Sequence, residues 1–571
     1  MGDKEMLSVK RLIYVLLIVV VVSAVFMVYN INEERAKNIQ IKNLEIEMPE
    51  FTASEPVDPA EKPRVSLLGD PEKDIYGKIY QNTLRLFHDL HFNVTTQERL
   101  DAGRTGLDEL VVFCDDDIGR YTDMTELRQF VERGGKVILA AGLPEGNEDS
   151  YLWPLLAIRE KSIRENYNRM SFEKPLLPFQ LEEMVYDGYN MSTWLAVGGE
   201  AQVYIRDSEK GIPLLYTCHR GKGGICLING TFLSDMRCAG LLTGAAGALT
   251  EDLIYPVVGT KVVFLDNFPM ITYINDKLCM QMYGSSTEGF VRDVVWPSFQ
   301  GISLRSQTPL TSSVLVAASQ EESFPAINDS LFTTIGKSAL QYGGELIYAA
   351  NCLDEDQIQY NQVFIDEFRS VFVNYRIQGL ALQSDRLLEG MLTIPGSEIQ
   401  AVRGHLGEEA DSFSNSGSYF VLPAATVGNS MENGNLFAIA SVLGAYGMIS
   451  HVFDVNTLIA QDAATASWDR DKRQLGIFES EILNQVPNLD AVTLSEAGGS
   501  VRSYLSLEFG WEKNGEQIKL NCSEMKPGQT FFYRTDRGIV GAQGLIYEKM
   551  DGGWYLLRVQ ENHAVITLEE E

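Results

Sequence analysis

The sequence predicts an α/β protein built in series: an N-terminal transmembrane helix, an open α/β sheet domain, a (β/α) barrel and a small antiparallel β domain. Three observations carry that expectation. Leu12 to Val28 is an unbroken apolar run. From Val65 onward, short apolar strands alternate with segments of helical period. After Val501 the chain changes to short strands separated by Asn-Gly and Gly-Gly turns.

The apolar run comes close to the ~20 residues that a helix needs to cross a bilayer. Lys10 and Arg11 precede it, and Asn30, Asn32, Glu33 and Glu34 follow. A basic flank favours an N-terminus left in the cytoplasm, so the bulk of the chain is expected to be extracytoplasmic. ATP, NAD and cytosolic partners are absent there. Ser23 and Ala24 lie inside the run, not after it, which favours an uncleaved anchor over a signal peptide. The expected organisation is a cytoplasmic tip and anchor at 1–30, then a proline-bearing stalk at 31–61, with Pro49, Pro56 and Pro59.

Composition narrows the function. At 45% apolar and 10% aromatic residues, the extramembrane part should fold. Forty-seven basic against 78 acidic residues leave a formal charge of −31. Such a surface repels nucleic acid and would attract a cationic partner. The cysteines at 114, 218, 226, 238, 279, 352 and 522 form no Cys-x-x-Cys pair and read as buried free thiols. With histidines only at 88, 91, 219, 405, 451 and 563, neither a histidine-rich metal site nor a cofactor is expected.

Residues 62–250 read as one α/β domain. Val65–Leu68, Leu110–Phe113, Val137–Ala140 and Ile225–Ile228 are the strands. Ile75, Ile79, Leu86, Phe87 and Leu90 mark one helix, and Leu127, Phe130 and Val131 a second. That alternation implies an open parallel sheet. The layout resembles the flavodoxin-like fold of class I glutamine amidotransferase relatives. Cys114 follows a strand but lacks the flanking glycines and the His–Glu pair of a nucleophile elbow, so it reads as structural.

Residues 255–500 carry the barrel expectation. Candidate strands are Lys261–Leu265, Ser313–Ala317, Glu345–Ala349, Gly379–Gln383, Tyr419–Leu422, Ile449–Phe453 and Ala491–Leu494. Helical patterns run between them, the clearest on Ile358, Phe364, Ile365, Phe368, Val371 and Phe372. The last unit, 501–571, is expected to be a β-sandwich module whose first strand is Val501–Leu507. Trp511 and Trp554 in it read as core residues ahead of sugar-stacking platforms.

In such a barrel, chemistry sits at the carboxyl ends of the strands. The first strand ends Val263-Phe264-Leu265-Asp266-Asn267-Phe268-Pro269, which resembles the opening motif of the polysaccharide deacetylase (NodB-homology) superfamily. The resemblance implies that Asp266 stands where that family has its general base, and Asn267 where it has a metal-binding aspartate. Gly343 to Leu353 resembles the approach to the family's two metal-binding histidines, but Ala349 and Leu353 occupy their places. All three usual ligands are thus replaced, and no metal is expected.

The third motif, an arginine and prolines bracing the base, is matched in Tyr419–Thr426 by Pro423 without an arginine, which makes Pro423, like Asn267, a candidate binding residue. Arg403 is the alternative under a shifted register. Ser450-His451-Val452-Phe453-Asp454 fits the slot of the general acid, which points to His451 as acid and Asp454 as a binding residue. His405 reads as a loop residue.

The arrangement also resembles a bacterial membrane-anchored family found with Pel-type exopolysaccharide machinery. The expected function is therefore a catalytically degenerate barrel handling a cationic amino-sugar polymer or its synthesis and export proteins. An active hydrolase or deacetylase using Asp266 and His451 is the alternative, and an extracytoplasmic assembly factor or sensor the second.

Overall fold

A computed structural model describes residues 17–23, 57–58 and 61–570, apart from 104, 108, 148, 180–181, 270–274, 317–329, 351–365, 367, 374, 383–397, 406–412, 433 and 460–466. Most of the expected anchor therefore lies outside the described residues. Its centre, Leu17 to Ser23, is helical, and the apolar side chains from Leu17 to Val22 are all more than half exposed. Among the described residues no helix is long and apolar enough to cross a membrane.

The first unit is a nine-stranded mixed sheet. Arg64–Leu68 lies between Asn93–Thr96 and Leu110–Phe113, followed by Lys136–Leu139 and Gly223–Ile228, all parallel. The four expected strands are present. The sheet then continues antiparallel through Pro213–Arg220, Ala201–Asp207, Arg169–Phe172 and Glu183–Val185. This half was not read from sequence. Flanking helices have local causes. Asp123 caps Met124–Arg133 by accepting from the amides of Thr125 and Glu126, at 2.7 and 3.0 Å. Gly134, at φ 126°, ends it in a backbone that only glycine adopts cheaply.

The second unit is a barrel-like ring of parallel strands. Thr260–Asp266, Leu310–Val316, Glu345–Ala350, Gly379–Leu382, Ala401–His405 and Phe420–Ala424 pair in sequence order. The last strand continues through Ala425 to Thr426–Val427, which pairs with Met448–Asp454. That strand pairs back to Thr260–Asp266 and completes the ladder. Two expectations change here. Ala401–His405 was not foreseen as a strand, and Ala491–Leu494 reduces to the two-residue bridge Asp490–Ala491 on the first strand.

Register separates the two faces. Val314, Leu346, Tyr348, Leu380 and Val402 face outward against Phe332, Phe368 and Phe372 of the helical layer. Their neighbours Ser313, Ala349, Ala381 and Arg403 therefore face the ring interior.

The third unit is a sandwich of two four-stranded sheets, and it differs from the expected module in two ways. Val501–Leu507 is not a strand, because the helix Gly498–Ser506 covers it. Asp252–Val257, in the connection between the first two units, supplies an outer strand by pairing with Gln529–Thr535. Trp554 is core, edge-on to Tyr255 and Phe532.

The units are fused through the helices Ala239–Leu249 and Asn435–Tyr446, which are buried on nearly every face. A Cβ at Gly240 would lie 2.8 Å from Ser441 Cα, so only glycine permits their approach. The Gly240 amide donates to Ser441 Oγ, and Tyr255 Oη to the Gly444 carbonyl at 2.6 Å.

Candidate functional site

The ring places two polar pairs at the carboxyl end of its strands. Asp266 ends the first strand, with its side chain pointing inward. Arg403, from a strand on the far side, reaches across the interior and grips it with both terminal nitrogens, Nη1 to Oδ1 at 2.5 Å and Nη2 to Oδ2 at 2.8 Å. Ser313 Oγ donates to Oδ1 at 2.6 Å. The Arg403 side chain is 8% exposed and that of Asp266 20%, so the pair is largely buried. The guanidinium also lies over the Phe264 ring at 5.1 Å.

Asn267 turns the backbone at φ 56°, a left-handed conformation that asparagine tolerates. Its Nδ2 donates to Asp454 Oδ1 at 2.8 Å, and the Asn456 amide donates to the same oxygen at 3.0 Å. Asp454 lies in register with Asp266, which brings the two carboxylates to one end and one face. Among the described residues no cation pairs with Asp454, whereas Arg403 is committed to Asp266.

The other sequence-designated residues lie elsewhere. His451 is fully buried and three residues from Asp454, so the two-residue alternation of a strand turns it outward. There it lies edge-on to Phe453 of its own strand and against Phe478 of the helical layer, and Nδ1 is 2.6 Å from Thr426 Oγ1. Burial pushes its pKa down to about 3. An acid on the outer face cannot serve a base in the interior, so the assignment of His451 as general acid is withdrawn. Pro423 is buried one residue beyond the Arg403–Leu422 pair and faces away from the interior, so it is not a binding residue. His405 is exposed at a strand end. Ala349 faces the interior, and Leu353 lies outside the described residues. Among those described, no three His, Cys, Asp or Glu side chains are grouped to hold a metal ion.

Arg403 is the site residue that sequence reasoning underweighted. Its strand, Ala-Val-Arg-Gly-His, is short and broken by a charge and a glycine. The signal was the alternation of Ala401, Arg403 and His405 against Val402 and Gly404.

The first unit has a second polar constellation. The chain leaves Arg64–Leu68 and Leu110–Phe113 toward opposite faces at their carboxyl ends, where open α/β sheets commonly bind ligands. Here protein groups fill that crevice. Lys73 Nζ donates to Asp115 at 2.6 Å and to Asp116 at 3.1 Å, while Arg164 and Tyr76 donate to Asp116 at 2.9 and 2.8 Å. Burial raises the Asp116 carboxyl, but those three donors outweigh it and bring its pKa down to about 2. Arg164 comes from the strand Ile158–Asn166 of a two-stranded ribbon. Cys114 is fully buried, and its thiol is pushed up to about 12 by desolvation, which makes it inert as a nucleophile. The described cysteines 114, 218, 226, 238, 279 and 522 are all free and buried.

Residues 88–348 match the family model described as "Uncharacterised protein conserved in bacteria (DUF2194)". The comparison with curated proteins gave no match. Among solved structures the chain is similar to an exo-beta-1,4-mannosidase, Op5Man5, from Opitutaceae bacterium strain TAV5, at 14% identity and TM-score 0.25 over 33% of this chain and 36% of that one. It is similar to a beta-galactosidase from Bacillus circulans sp. alkalophilus at 11% identity and TM-score 0.24, over 34% and 33% of the two chains. A putative thua-like protein from Bacteroides uniformis aligns at 11% identity and TM-score 0.23, over 32% of this chain and 86% of that one. The chain thus spans about a third of the length of the first two.

Proposed function

We propose that this protein is a membrane-tethered, extracytoplasmic binder of an amino-sugar exopolysaccharide, with a deacetylase-like ring that holds sugar without cleaving it. The observation that carries this reading is the polar group at the carboxyl end of the ring's strands. Asp266 is locked by Arg403 and Ser313, and Asn267 and Ala349 stand where the resemblance to the polysaccharide deacetylases would put two of three metal ligands. With the donors that fix an ion replaced, nothing among these side chains activates a water for attack on an acetamide.

The same side chains suit recognition. A carboxylate–guanidinium pair beside a carboxamide–carboxylate pair offers adjacent donors and acceptors to sugar hydroxyls. Asp454, which no described cation neutralises, suits the ammonium of a deacetylated amino sugar. The surplus of acidic residues favours the approach of a cationic polymer. The six exposed aliphatic side chains of Leu17–Val22 suit lipid, which supports the tether. Proteins of exopolysaccharide synthesis and export are the partners this reading implies.

Calorimetric titration of the extramembrane part with glucosamine and N-acetylglucosamine oligomers tests it. Binding of the glucosamine oligomer, weakened at least tenfold in Asp454→Asn, is the expected result, with no acetate released from the acetylated oligomer. Acetate release at a steady turnover in the presence of a divalent ion would replace binding with catalysis. Absence of binding to either oligomer would end the carbohydrate reading. Protease accessibility of the bulk of the chain in intact cells tests the location.

A further inference from the structure

Two helical runs start near the carboxyl end of the ring and return toward its amino end, and their first turns meet beyond the strands. One runs without a break from Thr287 to Ser306 and packs on the ring end through Trp296 and Phe268, whose rings are 5.5 Å apart. The other is Trp468–Phe478, whose last residue lies edge-on to Phe453 at 5.1 Å. Aromatic rings join their starts. Tyr283, which ends the helix Asp276–Tyr283, stacks flat on Phe290 at 4.0 Å, and Trp468 meets Phe290 edge-on at 5.6 Å. The Tyr283 hydroxyl also hydrogen-bonds to the Trp468 main chain, where the first amides of a helix lack partners.

Helix rise sets the height of this cluster. Six residues separate Phe290 from Trp296, which sits level with the strand end, so Phe290 stands roughly 9 Å beyond it at ~1.5 Å per residue. Trp468 gives a matching height. Phe478 packs against both His451 and Phe453, about 7 Å of strand before Asp454, and the helix from Phe478 back to Trp468 spans about 15 Å, so Trp468 stands about 8 Å beyond Asp454. Phe290 is buried, whereas Tyr283 and Trp468 are each half-exposed. Met280, about one turn before Tyr283, is 57% exposed. Rings needed only for packing are enclosed, as Phe332, Phe368 and Phe372 are behind the ring.

We infer that Trp468 and Tyr283 form a stacking rim for further units of a cationic sugar polymer that meets Asp454 with one of its ammonium groups. The inference rests on the carbohydrate reading above and narrows its ligand from a sugar to a chain. A monosaccharide held at Asp454 is too short to touch the rim, whereas an oligomer spans the gap. Aromatic faces suit the apolar C–H faces of sugar rings, and Tyr and Trp give contact area at little cost in side-chain freedom. Charge favours the same occupant, since Asp454 has no described cation beside it and the chain carries a formal charge of −31.

Calorimetric titration of the full-length chain in detergent with glucosamine and with its tetramer tests the rim. The tetramer should bind at least about tenfold more tightly than the monosaccharide. Trp468→Ala should remove most of that gain and leave the affinity for glucosamine within about twofold of wild type, since the two sites are well separated. Trp468→Phe keeps a ring against Phe290 and decides the matter if the alanine variant fails to fold. The change in tryptophan emission that the tetramer causes in wild type should disappear in it. Equal affinity for the two ligands in wild type, an unchanged tetramer affinity or equal losses for both ligands in Trp468→Ala, or an emission change that survives in Trp468→Phe would overturn the rim and leave binding at Asp454 standing. Absence of binding by either ligand would end the carbohydrate reading, and the rim with it.

Discussion

Replacing Arg403 by methionine is the sharpest test of how the ring is held. The substitution keeps most of the aliphatic stem and removes the guanidinium that spans the interior from one side of the ring to the other. Asp266 would lose two charge-assisted hydrogen bonds, at 2.5 and 2.8 Å, and keep only the one from Ser313. Breaking a buried ion pair on one side costs ~3–5 kcal/mol. Because Asp266 is 20% exposed and regains some water, the lower end applies, about 3 kcal/mol. With a urea dependence of roughly 2–3 kcal/mol per molar, the midpoint should fall by about 1 M. Trp296, packed on Phe268, and Trp468, packed on Phe290, report on the ring by fluorescence during urea unfolding. Arg403→Lys should recover only part of the loss, since an ammonium cannot make the forked contact. Adding Asp266→Asn to Arg403→Met should return much of it, because the stranded charge is then gone. A midpoint for Arg403→Met within about 0.2 M of wild type would refute the clamp, as would strict additivity in the double variant.

His451→Asn should leave sugar titrations unchanged, because the imidazole lies outside the ring. It should also remove a loss of stability that wild type shows as pH falls from 6.5 toward 3, read as the difference in melting temperature between pH 7 and pH 4.5. Glu345 is enclosed at the opposite end of the ring, where it receives the Ser495 amide at 3.0 Å and the Ser495 hydroxyl, and burial raises it to about 7. Stability from that carboxyl is complete below pH 4.5 and lost as pH rises through 7, so Glu345→Gln should flatten the melting temperature over that range. Gly240→Val should force the two buried helices apart and cost at least about 2 kcal/mol in urea unfolding; an unchanged midpoint would mean that the helices yield freely.

Parts of the ring were legible because a strand's own residues identify it. Thr260–Asp266 and Met448–Asp454 are rich in β-branched and aromatic residues and end in turn-forming aspartates. The facing of His451 was not legible. Ile449–Phe453 carries one polar and at least one apolar residue on each face, His451 on one and Ser450 on the other, so nothing in it distinguishes the interior from the helical layer, and a one-residue choice of face reverses every side chain. Asp454 and Asp266 came together because the register between their strands is set by the whole ladder.

By itself the sequence determined the apolar N-terminal run, the alternating α/β character and the scattered cysteines that form no paired motif. These depend on residue identity and local period alone. Only the tertiary structure decided that Arg403 crosses the ring to Asp266, that His451 faces away, and that Asp252–Val257 belongs to the sandwich. Each of those pairs residues more than a hundred positions apart or depends on which side of a strand is buried, and that is settled when all the units close on one another.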